Sequence, residues 1–225
     1  MTPFEVPMFE SPFRRYSADE ADRFARRTGW IDDKGVFDPD GGIIQSKMLD
    51  WLKDCELITM QSPDWGDVMG AWVLNSATNR LTRLDGSSGP IHATNAKVGI
   101  QLNSENVISY LGYFCTFVHG DEGMFGLVGS DSESILPPGW PKGKYAEFLK
   151  PAKLVKEGDD GFHVEASVFY SDAVFWSHFL VKRDGMCEML DDEPQAAELG
   201  MKIPTRLKFE EIPVEAAEEP AQPDA

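Results

Sequence analysis

Residues 162–190, FHVEASVFYSDAVFWSHFLVKRDGMCEML, carry the clearest secondary-structure pattern of this chain. It contains three candidate strands, FHVEASVFY, AVFWSHFLV and MCEML, separated by Ser171-Asp172 and by the turn dipeptide Asp184-Gly185, and the first two are rich in β-branched and aromatic residues. Such runs between turn residues are typical of consecutive β-strands. In the first run apolar side chains alternate with polar ones such as His163 and Glu165, which gives one face for the core and one for solvent. The sequence therefore predicts a C-terminal antiparallel meander.

Helices and a hairpin are predicted upstream of this meander. SADEADRFARRTG has Ser17 as N-cap, Glu20 as its capping-box partner and Gly29 as a stop, so we expect a helix between them. The apolar residues of IIQSKMLDWLKDC, residues 43–55, recur near one face of a second helix. ELITMQSP then resembles a short strand. Two extended runs joined by a polar turn predict a hairpin, at Ala71–Leu74 and Arg80–Leu84.

The most apolar run of the chain predicts a third, buried helix. Nearly every position from Val107 to Val118 is apolar, and a helix that is apolar all round is buried. Asn103 or Ser104 can cap its start, and we expect Gly120 to end it in a left-handed conformation. MFGLVG, which follows the turn GDEG, resembles a strand.

Together these elements predict an α+β fold, with an antiparallel β-sheet packed against about three helices. We expect residues 1–212 to form a single domain with an irregular N-terminal arm at 1–15. The loop-rich segment 130–160 holds the Pro-rich ILPPGWPKGKY, which cannot run as regular structure. Residues 202–214 resemble a last edge strand, and the polar segment 213–225 predicts a disordered acidic tail.

The charge of the chain is its strongest compositional feature. Its 38 acids and 21 bases give a net charge of −17. A field of this sign repels phosphates, which disfavours nucleic acid as a partner, and it attracts basic proteins. Residues 186–225 contain eleven acids and three bases, close to half of the excess. We therefore expect the C-terminal end to attract a basic partner most strongly.

The compartment is predicted from the N-terminus, the apolar runs and the cysteines. The first twenty residues carry acids and prolines where a secretory signal needs a basic patch and an apolar run. No apolar run reaches the roughly 20 residues that cross a bilayer, so we expect no membrane partner. The cysteines, Cys55, Cys115 and Cys187, are odd in number and far apart, which argues against disulfides and zinc sites. We therefore predict a cytoplasmic protein.

Several side chains that could act in catalysis or metal binding are better explained by structural roles. His119, Asp121 and Glu122 offer an imidazole beside two carboxylates, but the spacing matches no known site and a metal needs three or four convergent ligands. Cys115 lies among apolar residues, which would raise the pKa of its thiol. DPDGG at 38–42 lacks the ligand spacing of a calcium loop. We predict no catalytic residue, no metal site and no cofactor.

The two histidines of the meander are the alternative candidate. His163 and His178 lie on adjacent predicted strands and would line a pocket with Trp176 if they faced each other. The two histidines lie at different numbers of residues from a Ser171-Asp172 turn. We therefore expect them to be out of register and to point to opposite faces. This argues against a shared site.

The acids after the third strand are the candidate for partner binding. In MLDDEP, Asp191, Asp192 and Glu193 follow one another, and Glu188 lies just before them. Such a run is usually a solvated turn. It can also bind a cluster of Arg and Lys through charge-assisted hydrogen bonds, and the acidic tail extends the same field.

Part of the chain resembles a known family. In GDVMGAWVLNSATNRLTRLDGSSGP and the following NSENVISYL, Gly66-Asp67 leads to an apolar strand at Trp72–Leu74. A turn, a second strand ending near an acid at Arg80–Asp85 and a capped helix at Asn103–Leu111 follow. This resembles the closing part of the SUKH superfamily, bacterial immunity proteins that neutralise polymorphic toxins. The likeness covers residues 66–111. It implies an α+β domain that binds a toxin enzyme by surface complementarity and performs no chemistry itself.

The leading hypothesis is thus a non-catalytic acidic protein that docks a basic protein partner, such as a toxin enzyme. One alternative is an NTF2-like protein with a small-ligand or acid/base pocket near the meander. Another is an accessory subunit of a larger assembly, with contacts through the N-terminal arm and the Pro-rich loop at 135–145. The sequence leaves the oligomeric state open.

Overall fold

A computed structural model describes residues 13–29, 31–32, 35–37, 41–63, 69–127 and 149–200. Within this part the helices are α1 (Ala18–Thr28), α2 (Gly89–Val98) and α3 (Val107–Phe117). The strands are β1 (Arg14–Arg15), β2 (Ile31–Asp32), β3 (Gly35–Val36), β4 (Ile43–Met48), β5 (Cys55–Gln61), β6 (Gly70–Asn75), β7 (Arg80–Arg83), β8 (His119–Gly120), β9 (Gly123–Met124), β10 (Gly126–Leu127), β11 (Lys153–Gly158), β12 (Gly161–Tyr170), β13 (Ala173–Val181) and β14 (Cys187–Ala196). The predicted α+β class is confirmed.

The N-terminal sheet has five strands in the order β1-β4-β5-β6-β7, and every pairing is antiparallel. The predicted hairpin is β6–β7, and the predicted short strand is β5. Apolar side chains of β5 are buried on both faces of this sheet, with Leu57 on one side and Ile58 and Met60 on the other. A strand buried on both faces needs no polar alternation.

The C-terminal sheet contains the predicted meander, β12-β13-β14, which is confirmed as antiparallel. The short strand β10 pairs with one end of β12, and β11 pairs with the other end. The turn at Ser171-Asp172 connects β12 to β13 in continuous register from Phe162↔Val181 to Tyr170↔Ala173.

The main core contains side chains from both sheets. Leu57 and Val73 of the N-terminal sheet belong to the same buried cluster as Val164 and Phe179 of the C-terminal sheet. Helix α3 contributes to this cluster with Tyr110, Leu111, Tyr113, Cys115 and Phe117. The apolar run of the third predicted helix is therefore buried, as expected.

Helix α1 covers the other face of the N-terminal sheet. Ser17 and Glu20 form the predicted capping box, and Gly29 closes the helix in a left-handed conformation with φ of 58°. Phe24 packs edge-on against Trp72 with ring centroids 5.5 Å apart, inside a second buried cluster.

A buried polar network connects the helices to the β13–β14 turn. The Asn95 side-chain N–H donates to the Tyr110 hydroxyl over 2.9 Å, and that hydroxyl donates to the carbonyl of Gly185 over 2.6 Å. A Cβ on Gly185 would lie 2.4 Å from the Asn95 amide nitrogen, and its φ is +86°. Only glycine fits this approach without displacing the network.

Several sequence predictions are wrong. The segment 43–55 is strand β4 and a loop, because Ile43, Ile44, Gln45 and Ser46 are all buried in a strand covered on both faces. The periodicity that suggested a helix came from loop residues such as Trp51, which the main core also buries. Helix α2 and strand β11 were not predicted.

The ends of helix α3 and the strand predicted after it also differ from the prediction. The C-cap of α3 is Val118 in an extended conformation, and Gly120 lies in strand β8 instead of capping the helix. The N-cap is Asn106, one turn later than expected, although the side chain of Asn103 does accept from the backbone N–H groups of Glu105 and Asn106. In place of the one strand predicted for MFGLVG, the described residues form the two short strands β9 and β10.

Some predictions fall outside the described residues. These are most of the N-terminal arm, the calcium-like turn at 38–40, Gly66-Asp67, the Pro-rich loop at 135–145 and the segments 202–214 and 213–225. Among the described residues, none of the helices combines the length and the apolar character that crossing a bilayer requires.

Candidate functional site

The face of the C-terminal sheet that points away from the main core collects most of the candidate residues. Cross-strand partners share a face, so the register places them together. We call this set the outer face; it consists of Lys153 and Lys156 of β11, His163, Glu165 and Ser167 of β12, Trp176, His178 and Leu180 of β13, and Glu188, Asp191 and Glu193 of β14. The opposite face carries core residues such as Val164 and Phe179.

The two histidines are in contact, so the expectation that they point to opposite faces is wrong. His163 lies opposite Leu180, and His178 lies opposite Glu165. The histidines are therefore offset by two residues, and an even offset keeps side chains on the same face as diagonal neighbours. His163 Nδ1 lies 3.0 Å from His178 Nε2, with ring centroids 5.1 Å apart.

A carboxylate extends this pair into a chain of three groups. His163 Nε2 lies 2.9 Å from a carboxylate oxygen of Asp160, in the turn before β12. The hydrogen bond from His163 lowers the pKa of Asp160. An ionised carboxylate only accepts hydrogen bonds, so His163 Nε2 carries a proton.

The contact between the rings limits the charge of the pair. When both rings are neutral, His178 Nε2 donates to His163 Nδ1; when His163 is charged, the direction reverses. A second positive charge would set two N–H groups against each other across 3.0 Å. At this distance one ring nitrogen therefore donates and the other accepts.

Trp176 lies beside two lysines on the outer face. Lys150 Nζ is 5.0 Å and Lys153 Nζ is 5.8 Å from the centroid of the indole ring, within the range of cation–π contact. Lys153 also forms an ion pair of 3.1 Å with Glu165. Trp176 is partly buried, and the two lysines contact its ring while Lys153 also pairs with a carboxylate.

The predicted acidic turn is part of strand β14. Asp191 lies opposite His178 and Glu193 opposite Trp176, both on the outer face, while Asp192 lies opposite Ser177 and points to the other side. All three acids are exposed. Within the described part of the chain they have no ion-pair partner, whereas Glu188 forms one with Lys182.

The edge of β14 is poorly suited to pairing with another strand. Its register against β13 shifts at Leu190 and at Gln195, and Pro194 lacks a backbone donor. Bulges, proline and charged side chains are the features by which natural edge strands avoid pairing. The strand therefore presents its side chains more readily than its backbone.

The group at the end of α3 shows no catalytic arrangement. His119 Nε2 contacts the carbonyl of Thr116 over 3.2 Å, and burial lowers the pKa of this histidine. The backbone N–H of Glu122 donates to the Tyr170 hydroxyl, and Asp121 is exposed in the turn. Within the described residues no group of three His, Cys, Asp or Glu side chains is placed to hold a metal ion.

A cavity of about 100 Å³ lies between β7 and α2, and its lining does not include His163, Trp176 or His178. The pocket hypothesis for these three residues therefore stays a prediction, as does partner binding by the acids.

The sequence analysis did not predict that the pocket candidates His163, Trp176 and His178 lie on the same sheet face as acids of β14. The signal was present, because an even offset between two residues on adjacent antiparallel strands places them on one face. The position of Asp160 beside His163 depends on the turn geometry at Gly161, whose φ is +135°. No sequence pattern indicates that contact.

Comparisons of the chain with protein-family models, with curated proteins and with solved structures give no match. The β6–β7 hairpin and helix α3 from the SUKH-like segment are present, but α2 lies between them. The family assignment stays a prediction.

Proposed function

We propose that this chain is a cytoplasmic, non-catalytic binding protein that docks a basic protein partner on the outer face and along β14. The observation that carries the proposal is the position of Asp191 and Glu193. Two exposed carboxylates, without ion-pair partners among the described residues, lie next to a partly buried aromatic ring on one sheet face.

The composition of this surface resembles that of protein interfaces. Binding energy is concentrated in a few residues, among which Trp is enriched, and charged groups at the rim steer the encounter. Trp176 supplies the aromatic group, and Asp191 and Glu193 supply the charge. Met189 and Leu190, which are 43% and 49% exposed, add apolar area on the same strand.

The whole-chain charge supports a basic partner. A net charge of −17 raises the encounter rate with a positively charged protein at low ionic strength. Because the edge of β14 is poorly suited to pairing, we expect the partner to bind its side chains through Lys and Arg and not to add a strand. The resemblance to SUKH proteins extends the proposal to a toxin enzyme as the partner, since enzymes that act on nucleic acids tend to be basic.

The proposal is tested with three forms of the full chain. The first is wild type, and the second carries D191N, D192N and E193Q. The third is a matched control with D19N, D50N and D54N, which removes the same charge from exposed sites near the N-terminal sheet. Each form is immobilised and exposed to a native lysate at ~50 mM and ~500 mM salt, where screening lengths differ about threefold.

The expected result is a basic protein captured by wild type and by the control at low salt, and lost in the β14 variant and at high salt. The purified pair should then show the same dependence by isothermal titration calorimetry. Capture that is indifferent to salt, or equal weakening by both triple variants, would overturn the proposed docking surface. Failure of wild type to enrich any basic protein would overturn the proposed function itself.

A further inference from the structure

A cleft of about 100 Å³ lies between the β6–β7 hairpin and helix α2. Its apolar lining includes Val73, Ala93 and Val98, and its polar lining includes Thr82, Arg80 and Lys97. It lies on the N-terminal sheet and does not share residues with the outer face.

The register explains why these residues meet. Val73 lies opposite Thr82, and Asn75 lies opposite Arg80, so alternate residues of the hairpin present one face. Helix α2 turns Ala93 and Lys97 toward this face, since residues four apart lie above one another. Its contact with β7 leaves a gap that side chains do not fill.

Two cations border the cleft in an otherwise acidic protein. Arg80 and Lys97 line it and are exposed, and among the described residues neither has an ion-pair partner. Both are therefore available to a bound anion.

We propose that this cleft binds a small organic carboxylate with a short apolar body. The apolar lining would bury the body, and Arg80 and Lys97 would bind the carboxylate, for which a guanidinium offers paired donors. The volume is below the 300–1,000 Å³ or so of sites for cofactors and drug-sized ligands, which excludes larger occupants. Inorganic anions would leave the apolar lining without a contact.

The experiment uses butyrate as the probe. Uncharged 1-butanol has a similar apolar body, and inorganic phosphate has charge without an apolar body. Binding to the full chain is followed by amide chemical shifts in ¹H–¹⁵N spectra. We expect saturable shifts with butyrate at β7 and α2, and much smaller shifts with the other two.

Variants separate the parts of the site. R80Q and K97Q should each weaken butyrate binding about two- to fivefold, since exposed ion pairs contribute modestly, and the double variant should weaken it about tenfold. A93L should block the cleft while leaving both cations and a strong helix former in α2. R15Q, which removes an exposed cation from the opposite edge of the sheet, is the control and should bind as wild type does.

The inference is overturned if butyrate causes no saturable shifts at β7 and α2. It is also overturned if butanol binds as tightly as butyrate, if phosphate binds more tightly, or if A93L keeps wild-type affinity while its spectrum shows a folded protein. The outcome does not depend on the proposed docking of a basic protein, which uses another sheet.

Discussion

At the scale of single residues, burial decides the chemistry of the thiols. Burial raises the pKa of Cys115 to about 12, and it also raises the pKa of Cys55 and of Cys187. A thiol reacts with electrophiles through its thiolate, so protonation protects all three cysteines, and burial also excludes reagent from Cys55 and Cys115, whereas Cys187 is partly exposed. The sequence-based expectation for Cys115 is confirmed.

We therefore predict that native protein at pH 8 reacts slowly with Ellman's reagent. Fewer than one thiol per chain should react in the first minutes, and all three should react at once in concentrated guanidinium chloride. The absorbance of the released chromophore counts the thiols that have reacted. Rapid reaction of a full thiol in the native state would show that one of these sites is open.

At the scale of elements, the start of helix α1 depends on the charge of Glu20. Its carboxylate accepts from the backbone N–H of Ser17 and from Arg14, each over 2.9 Å. These bonds lower the pKa of Glu20 from 4.5 to about 2. A carboxyl whose pKa is lowered on folding contributes stability above its unfolded pKa, and that contribution is lost as the pH falls toward the folded value.

The substitution E20Q tests this contribution, because Gln can keep the capping-box hydrogen bond without the charge. The variant should melt below wild type at pH 7, and the difference should shrink between pH 4.5 and pH 2. The melting temperatures of both proteins are measured by circular dichroism at pH 7, pH 4.5 and pH 2. A difference that stays constant with pH would show that the charge is not responsible.

The helices and strands that the sequence analysis missed or assigned wrongly lack the local patterns on which such predictions depend. Residues 43–48 form a strand with buried side chains on both faces, so the alternation that identifies half-buried strands is missing. Helix α2 has no side-chain cap and no pronounced apolar face, so the periodicity does not reveal it; its signals are Pro90 in the first turn and the left-handed Gly99 at its end, which the sequence analysis did not use. Helix α1 and strands β12 and β13 were predicted because their caps, turns and alternation lie within the elements themselves.

At the scale of the whole molecule, one core joins the two sheets. Leu57 of the N-terminal sheet is fully buried in the same cluster as Val164 and Phe179 of the C-terminal sheet. Removing a side chain from a shared cluster weakens both sheets at once. We therefore expect the described parts to unfold together.

The substitution L57A should destabilise the protein by about 2–5 kcal/mol, because it leaves a cavity in the core. V155A, at a position of β11 that is 43% exposed, is the control and should change stability by about 0.5 kcal/mol or less. Urea unfolding is followed by tryptophan fluorescence and by circular dichroism. The two signals should move together to lower urea in L57A, and separate transitions would contradict a shared core.

The sequence by itself determined the features that depend on neighbours along the chain. The capping box at Ser17, the turn at Ser171-Asp172, the alternation of β12 and the burial of α3 all follow from local spacing. The net charge of −17 likewise needs no structure.

The tertiary structure alone decided which residues meet across the chain. Asp160, His163 and His178 converge, β14 carries the acids beside Trp176, and Arg80 and Lys97 border one cleft. These contacts depend on strand register and on which face another element covers. Both are set by the packing of distant segments into a common core, and local sequence does not encode that packing.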